Sequence, residues 1–395
     1  MLYGNGTTRL ETYSRSVGDS ETDTWKFLRT KAKNCNTSVF EAGYYFLVDK
    51  FGASAVNSTL TTNPNAGYLA VLASPDNQVV SDAHLYVKNN SDTMYTPKSL
   101  VKLCKTVELT QEVLITDTTI TVKDASNITT STFLKIDNEL MYITSILGKV
   151  LTVNRAILDT VPDHHTSDSE GLVFSKQNVL NNLYNNTNNI DVKVVTNAEG
   201  NLLSLSNTTT SNVVFDSRAI RPYPPINVKI DGTYNPTTHL RSQDISISWK
   251  VRNRTTTDLD SYYSDVVVSP ESGTTYSLDV LSPTNVVLYS AQGLTTTTHT
   301  VPKTSLTPAT THKIRLKAVR GGFESRNYYE HSLYVVPTET TLTGIITATG
   351  LTGTTISTAS ITAIVDTELT GNLLYNGTSL TGVAPPNSTI TVEVI

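Results

Sequence analysis

Between Ile245 and Val251 apolar and polar side chains alternate without a break. Ile245, Ile247, Trp249 and Val251 fall on one side of an extended chain, and Ser246, Ser248 and Lys250 on the other. Successive side chains of a strand point to opposite faces, so this spacing demands a half-buried strand; a helix would scatter the same residues around its axis. The pattern recurs at Tyr276, Leu278 and Val280, and again at His312, Ile314, Leu316 and Ala318, whose other face carries Lys313, Arg315 and Lys317. Upstream, Ile226, Val228 and Ile230 alternate before an Asp231-Gly232 turn. Before them, Arg221-Pro222-Tyr223-Pro224-Pro225 is too rich in proline for a helix or a central strand. Residues 221–337 therefore read as one β-sandwich, close to the ~100 residues that such a module needs.

Two features of this stretch resemble the fibronectin type III family. Trp249 lies on the second strand, and Leu306-Thr307-Pro308-Ala309-Thr310-Thr311-His312 leads into Ile314-Arg315-Leu316-Lys317-Ala318-Val319. In that family a buried Trp packs behind the second strand, and a corner Leu and Pro precede a Tyr that opens the sixth. The resemblance implies structural roles for Trp249, Leu306, Pro308 and His312. Because His312 stands where the family has Tyr, an imidazole N–H has to replace the corner hydroxyl.

A chain of 395 residues exceeds one compact core and suits three or four domains. Charged residues make up 16% and the net charge is −5, which gives no electrostatic footprint for nucleic acid. Abundant Thr, Ser and Asn, 19 Tyr and few long amphipathic runs favour an all-β protein of extracellular or virion type. Yet no basic and apolar leader follows Met1, and no apolar run nears the ~20 residues of a membrane span. An outward-facing composition without an export signal fits a virion part, made in the bacterial host cytoplasm and working outside. Cys35 and Cys104 could form one disulfide but make no framework, and free thiols are the favoured reading.

Within residues 1–104, a mixed, mainly β docking domain, a short helix is expected from Asp23 to Arg29. Buried strands are expected at Tyr44-Tyr45-Phe46-Leu47-Val48, at Tyr68 to Leu72 and at His84 to Val87. Residues 105–175 carry Thr118 to Ala125, then Phe133-Leu134-Lys135-Ile136-Asp137-Asn138-Glu139-Leu140-Met141-Tyr142-Ile143, Val150 to Arg155, His164-His165 and Gly171-Leu172-Val173-Phe174. Their alternation and turns predict a small meander or barrel. The order resembles a β-module of tailed-bacteriophage tail and baseplate proteins, written strand, Asp-Ala, (I/V)-(D/N)-x-E-x-(I/M)-x-I, x-R, His, Gly-x-x-V. Residues 176–220 read as a linker, with helical turns at Asn178 to Tyr184 and a hairpin turn over Thr196 to Asn201.

The sandwich that follows, opening on Arg-Pro-Tyr-Pro-Pro and continuing through Ile245-Ser246-Ile247-Ser248-Trp249-Lys250-Val251-Arg252-Asn253-Arg254, is also similar to fibronectin-type domains in tail hub and tip proteins of tailed phages and gene transfer agents. The pair of modules implies a structural protein of a tailed-phage virion, in the distal tail as hub, tip or fibre. The N-terminal part would dock to the particle and the later domains would face the host. Residues 338–395 form a Thr- and Gly-rich β domain in which Leu-Thr-Gly recurs at Leu342, Leu351, Leu369 and Leu380, the first intervals hinting at a short repeat.

No catalytic motif appears: there is no Gly-x-Ser-x-Gly elbow, phosphate loop or His-Glu-x-x-His. Neither a catalytic residue nor a cofactor is expected. His164, His165 and Asp168 are the densest ligand cluster for a divalent cation, but adjacent His side chains diverge in an extended chain, and a structural turn is the simpler reading. The Lys313, Arg315, Lys317 and Arg320 stripe is a candidate for an acidic partner such as lipopolysaccharide phosphate, and the pairs Tyr262-Tyr263 and Tyr328-Tyr329 for contacts with protein or sugar. Their ordinary alternatives are a solvated strand face and packing at the sandwich end. The expected partners are other tail proteins, further copies of the chain and a host-surface glycan or protein, with no nucleic acid or membrane insertion. Two other readings are open, a carbohydrate-binding adhesin or polysaccharide-active protein with accessory β-modules, and a capsid decoration or collar protein.

Overall fold

The computed structural model describes residues 32–75, 80–185, 189–198, 200–256, 259–265 and 267–336, together with short strands before and after them. The chain is mainly β and built from small modules. It divides into two compact units, one comprising residues 1–226, 251–274 and 318–328, the other 227–250, 275–317 and 329–395.

In the first unit, strands β1 (Leu2–Tyr3), β2 (Leu10–Ser14) and β3 (Lys26–Leu28) form one antiparallel sheet. The helix expected from Asp23 to Arg29 is thus replaced by a strand over Lys26–Leu28; Asp23 itself lies outside the described residues. Strand β4 (Asn36–Glu41) is followed by helices α1 (Tyr44–Phe51) and α2 (Ala53–Thr62). The apolar run at Tyr44 to Val48, expected as a strand, is this first helix. Tyr44 and Leu47 fall one turn apart and are buried, and Gly52, at φ 83°, ends the helix in a conformation open to glycine. A short apolar run carries no period of its own, so only its flanking glycines could have marked a helix.

Strands β5 (Ala66–Ser74), β6 (Val80–Asn89) and β7 (Thr96–Val101) follow. Strand β5 is buried on both faces and divides two cores. Ala70 and Leu72 join Phe40, Phe46, Leu47 and Phe174 on one side, while Leu69, Val71 and Ala73 join Leu85, Val192 and Phe215 on the other. That two-sided burial explains its nearly unbroken apolar sequence.

The next module has β8 (Lys105–Glu108), β9 (Thr119–Thr121), β10 (Thr132–Ile136), β11 (Glu139–Leu147), β12 (Val150–Asn154) and β13 (Glu170–Phe174), in sheet order β8-β13-β10-β11-β12-β9. Its core holds Val107, Ile120, Leu134, Ile136, Met141, Ile143, Leu151 and Val153, the inward residues of the expected alternation. Asp137, at φ 48°, makes the tight turn that sets Ile136 opposite Glu139.

Residues 176–220 do not link modules. After a single 3-10 turn at Lys176–Asn178, strand β14 (Val179–Asn185) pairs with β5, and β15 (Asn189–Ala198) pairs with β6. The helical turns expected as far as Tyr184 give way to that pairing. The hairpin turn at residues 196–201 leads from β15 into β16 (Asn201–Leu202), and β17 (Thr210–Val214) closes the other edge of β15.

The second unit holds most of the sandwich, whose residues 318–328 fall in the first. Strands β18 (Ile226–Ile230), β19 (Thr238–Leu240), β20 (Ile245–Lys250), β21 (Thr275–Leu281), β22 (Val287–Leu294), β23 (Thr298–Val301), β24 (Thr310–Arg320), β25 (Phe323–Glu324) and β26 (Tyr329–Val336) form two sheets. One runs β18-β20-β23 and the other β19-β26-β24-β21-β22, with β25 on β24. Ile245, Ile247, Trp249, Tyr276, Leu278, Val280, Ile314, Leu316 and Ala318 are all buried, as their alternation required. Residues 251–274 and 318–328, expected within the sandwich, group instead with the first unit.

Near the C-terminus, β27 (Leu342–Ile346), β28 (Ile361–Val365) and β30 (Leu380–Val383) form a parallel sheet, and β29 (Asn372–Tyr375) pairs in parallel with β31 (Thr391–Val394). Leu342 and Leu380 each open a strand; Leu351 and Leu369 lie outside the described residues.

Candidate assembly site: buried ion networks and exposed edges

The motif residues of the 105–175 module converge on one buried point. Arg155 Nε and Nη2 donate to Glu139 Oε1 and Oε2 at 2.6 and 2.8 Å, and both side chains are wholly buried. Arg155 also donates to the carbonyls of Leu114, Asp117 and Asp163 at 2.7, 2.8 and 2.7 Å. Glu139 accepts from the backbone N–H of Ala156 and Asp163 at 2.9 and 3.0 Å. Burial pushes its carboxyl up, but the bonds from Arg155 and His165 outweigh that and hold it below the usual carboxylate range.

His165 completes the cluster. Its Nδ1 lies 2.9 Å from Asp137 Oδ2 and its Nε2 3.0 Å from Glu139 Oε2. With a carboxylate at each ring nitrogen the imidazolium is the form that fits, since both nitrogens must then donate. Burial lowers the imidazole's affinity for its proton, but Glu139 and then Asp137 more than offset this, and the pKa is raised.

The metal reading of His164, His165 and Asp168 does not fit this arrangement. His165 points inward with both nitrogens engaged; His164 is exposed and faces Glu112 at 3.3 Å; Asp168 is exposed and pairs with Lys123 at 3.1 Å. Among the described residues no group of three or more His, Cys, Asp or Glu is placed to hold a metal ion.

A second network draws together distant parts of the first unit. Arg218 clasps Asp159 through Nε and Nη2 at 2.6 and 2.7 Å, and its Nη1 donates to the Glu41 carbonyl at 2.8 Å. The Glu41 carboxyl accepts from the backbone N–H of Asp216 and Arg218 at 2.8 and 3.0 Å. Burial and the nearby Asp216 push its pKa up to about 7.

Arg252 donates to the carbonyls of Ala156, Leu158 and Thr160. Ala156 and Leu158 sit at φ 47° and 58°, a region that non-glycine residues occupy at a cost. The guanidinium holds that strained turn by its carbonyls. Arg254 donates to the Ala219 carbonyl at 2.7 Å, pairs with Glu271 at 3.0 Å and lies 4.5 Å over the Tyr44 ring. Asn327 donates to the Asp159 carbonyl at 2.7 Å.

Most of the tyrosines read as contact candidates are structural. Tyr262 is buried, its backbone N–H bonded to the Arg155 carbonyl at 2.9 Å, and Tyr263 donates its hydroxyl to the Ile115 carbonyl at 2.7 Å. Tyr329 is buried and donates to Asn235 at 2.9 Å; Tyr328 alone of the four borders on exposure. In the basic stripe, Arg315 is paired with Glu330 at 2.6 Å, Lys313 donates to Asn285 at 2.8 Å, and Lys317 is half-buried.

At the sandwich corner Leu306 and His312 are buried and Pro308 is exposed. His312 Nε2 lies 3.0 Å from both the N and the O of Thr307, so either tautomer finds a partner there. Trp249 is buried edge-on to Tyr276, ring centroids 5.4 Å apart.

Among the described residues, β22 is one of the strands that end the sheets of the sandwich. Val286, Val287 and Leu288 at its start are 59%, 55% and 39% exposed. It carries no charge and no proline over Val287–Leu294. The edge strand β7 of the other unit carries Pro97 and Lys98, residues that discourage pairing with another chain. Sequence reading passed over β22 because its exposed residues follow no alternation that a core would impose.

No protein-family model matches this chain, and no curated protein matches it by sequence. Among solved structures it is similar to a two fibronectin type-III domain segment from chicken tenascin, at 13% identity over 59% of this chain and 97% of that one, TM-score 0.19. It is similar also to the FN1-FN3 domains of chicken CNTN1, at 12% identity over 68% and 94%, and to fibronectin(III)-like modules of Clostridium thermocellum CbhA, at 12% over 64% and 94%, each with TM-score 0.19. Superpositions this loose fix no common topology, and the sheet order above rests on the strand pairings alone.

Proposed function

We propose that this protein is a structural component of a tailed-bacteriophage virion, placed in the distal tail as hub, tip or fibre. It acts by protein–protein assembly and attachment to the host surface. The observation that carries this reading is the Glu139–Arg155–His165 cluster. The residues that make the 105–175 segment resemble a phage tail module are those that hold its fold together. A sandwich with an uncharged open edge at β22 follows in the same chain, an edge suited to a neighbouring subunit.

In such an assembly modest interfaces are multiplied by symmetry, and the buried arginine networks keep each subunit rigid. Immunogold electron microscopy of intact particles, with antibody against residues 221–395, tests the placement. Label at the tail tip supports it. Label on the head or neck moves the protein to decoration or collar. Protein free in the medium with no label on particles overturns the virion reading and makes glycan binding the next question.

A further inference from the structure

Each parallel pairing near the C-terminus joins residues nineteen apart. Leu342 lies beside Ile361, Ile361 beside Leu380, and Asn372 beside Thr391. The sequence has the same period: Leu342-Thr343-Gly344-Ile345-Ile346, Ile361-Thr362-Ala363-Ile364-Val365 and Leu380-Thr381-Gly382-Val383-Ala384 align apolar, Thr, small, apolar, apolar or small. A fixed sequence period that equals the register of parallel pairing marks a stacked repeat, in which each unit's neighbour is another copy of itself. The Leu-Thr-Gly intervals of nine and eighteen are not this repeat; its middle copy reads Ile-Thr-Ala.

Strand β28 is paired on both sides, whereas among the described residues β27 and β30 end the sheet. None of the three carries a charge or a proline, the usual means of closing an edge. The two open strands begin with the same tripeptide, Leu-Thr-Gly. We infer that the open edge of β30 takes β27 of a second copy of this chain, in the same parallel register. Inside the chain the partner of each strand is the next copy of the unit, so the strand that fits β30 is the unit again, and β27 presents it. No like charges oppose one another in such a stack. Three copies stand at the minimum that a stacked array needs, so an added neighbour contributes substantially to its stability. The contact is head-to-tail and runs on beyond two chains unless a rotation closes it.

Thr343, Thr362 and Thr381 occupy one register position, which makes thiol trapping decisive. In a Cys35→Ser, Cys104→Ala background, Thr343→Cys with Thr362→Cys places two thiols on neighbouring strands about 4.8 Å apart, within disulfide reach. Mild oxidation should close that bond inside one chain. Thr343→Cys with Thr381→Cys sets the thiols two strands apart, roughly 9.6 Å, too far to bond within a chain. That variant should give a concentration-dependent ladder of covalent oligomers on a non-reducing gel, lost on reduction, while each single variant, whose like thiols lie three strands apart in such a stack, should give no ladder. Failure of the first pair to close overturns the repeat; a second variant that remains monomeric, or stops at dimer, overturns the stacking. Neither result bears on the virion reading, which particle labelling decides.

Discussion

Arg155 donates through all three of its guanidinium nitrogens, and two of them close on the two oxygens of Glu139 at 2.6 and 2.8 Å. A guanidinium has five N–H groups, and five acceptors surround it here, so a buried cation is satisfied completely. Breaking such a pair is costly because the surviving charge is left buried.

Glu139→Gln should therefore destabilise the first unit by about 3–5 kcal/mol, the range for removing one partner of a buried pair. Arg155→Met should cost a similar amount, since it strands the carboxylate. Urea unfolding followed by a fluorescence probe in that unit checks both, and a loss under ~1 kcal/mol would show the pair to be incidental.

The acid–base behaviour of the unit follows from two groups of opposite kind. Glu41 has its folded pKa raised to about 7 from 4.5 by burial and by Asp216. Its contribution is fully present below 4.5 and is lost as pH rises through about 7. His165 also has a raised folded pKa, so its share is present below the ordinary histidine value and fades as pH climbs through the raised one. Melting temperature against pH should fall from pH ~5 to ~8, and Glu41→Gln should flatten the lower part of that slope.

Burial raises the Cys104 thiol to about 11, and Asn178 Nδ2 donates to its sulfur at 3.2 Å. At pH 8 the thiolate fraction is then on the order of one in a thousand. Alkylation of Cys104 by iodoacetamide in the folded protein should be far slower than that of an unfolded control, read by peptide mass. Equal rates would mean that this part of the core opens readily.

In the sandwich, Trp249→Ala should cost about 3–5 kcal/mol through the cavity it leaves against Tyr276. Trp249→Phe should cost much less. The indole N–H is buried with no hydrogen-bond partner among the described residues, so losing it forfeits no bond. Denaturant midpoints of the two variants make the comparison.

Leu288→Glu, on the open edge of β22, should change stability by no more than ~0.5 kcal/mol. If that edge docks a neighbour, the variant folds normally yet enters particles poorly, which quantitative immunoblotting of purified particles would show. Normal incorporation would rule this edge out as an interface.

The strands were legible where one face meets a core and the other meets water, as at Ile245 to Lys250 or Thr310 to Arg320. Tyr44 to Val48 misled because an unbroken apolar run has no period, and Lys26–Leu28 because a favourable helix cap says nothing about which neighbour a short segment will pair with. The motif Ile136-Asp137-Asn138-Glu139, Arg155 and His165 was visible as a pattern, but not its meaning. Only the fold brings Glu139 beside an arginine sixteen residues away. Arg218 left no signal, since a lone arginine in a sequence looks solvated; Arg252 and Arg254 were visible only as the end of the run from Ile245, and the partners Asp159, Ala156 and Ala219 are remote or are backbone carbonyls. The nineteen-residue period escaped because identity of the tripeptide, rather than its apolar-Thr-small pattern, was the cue.

The first unit is assembled from three separated stretches of chain, the last ending at residue 328. On a ribosome, then, the strained turn at Ala156 and Leu158 is made long before the arginine that secures it, and Asp159 waits still longer for Asn327. Early fragments leave the tunnel exit with carbonyls and a carboxylate unsatisfied. The first unit therefore cannot be complete before residue 328 has been made.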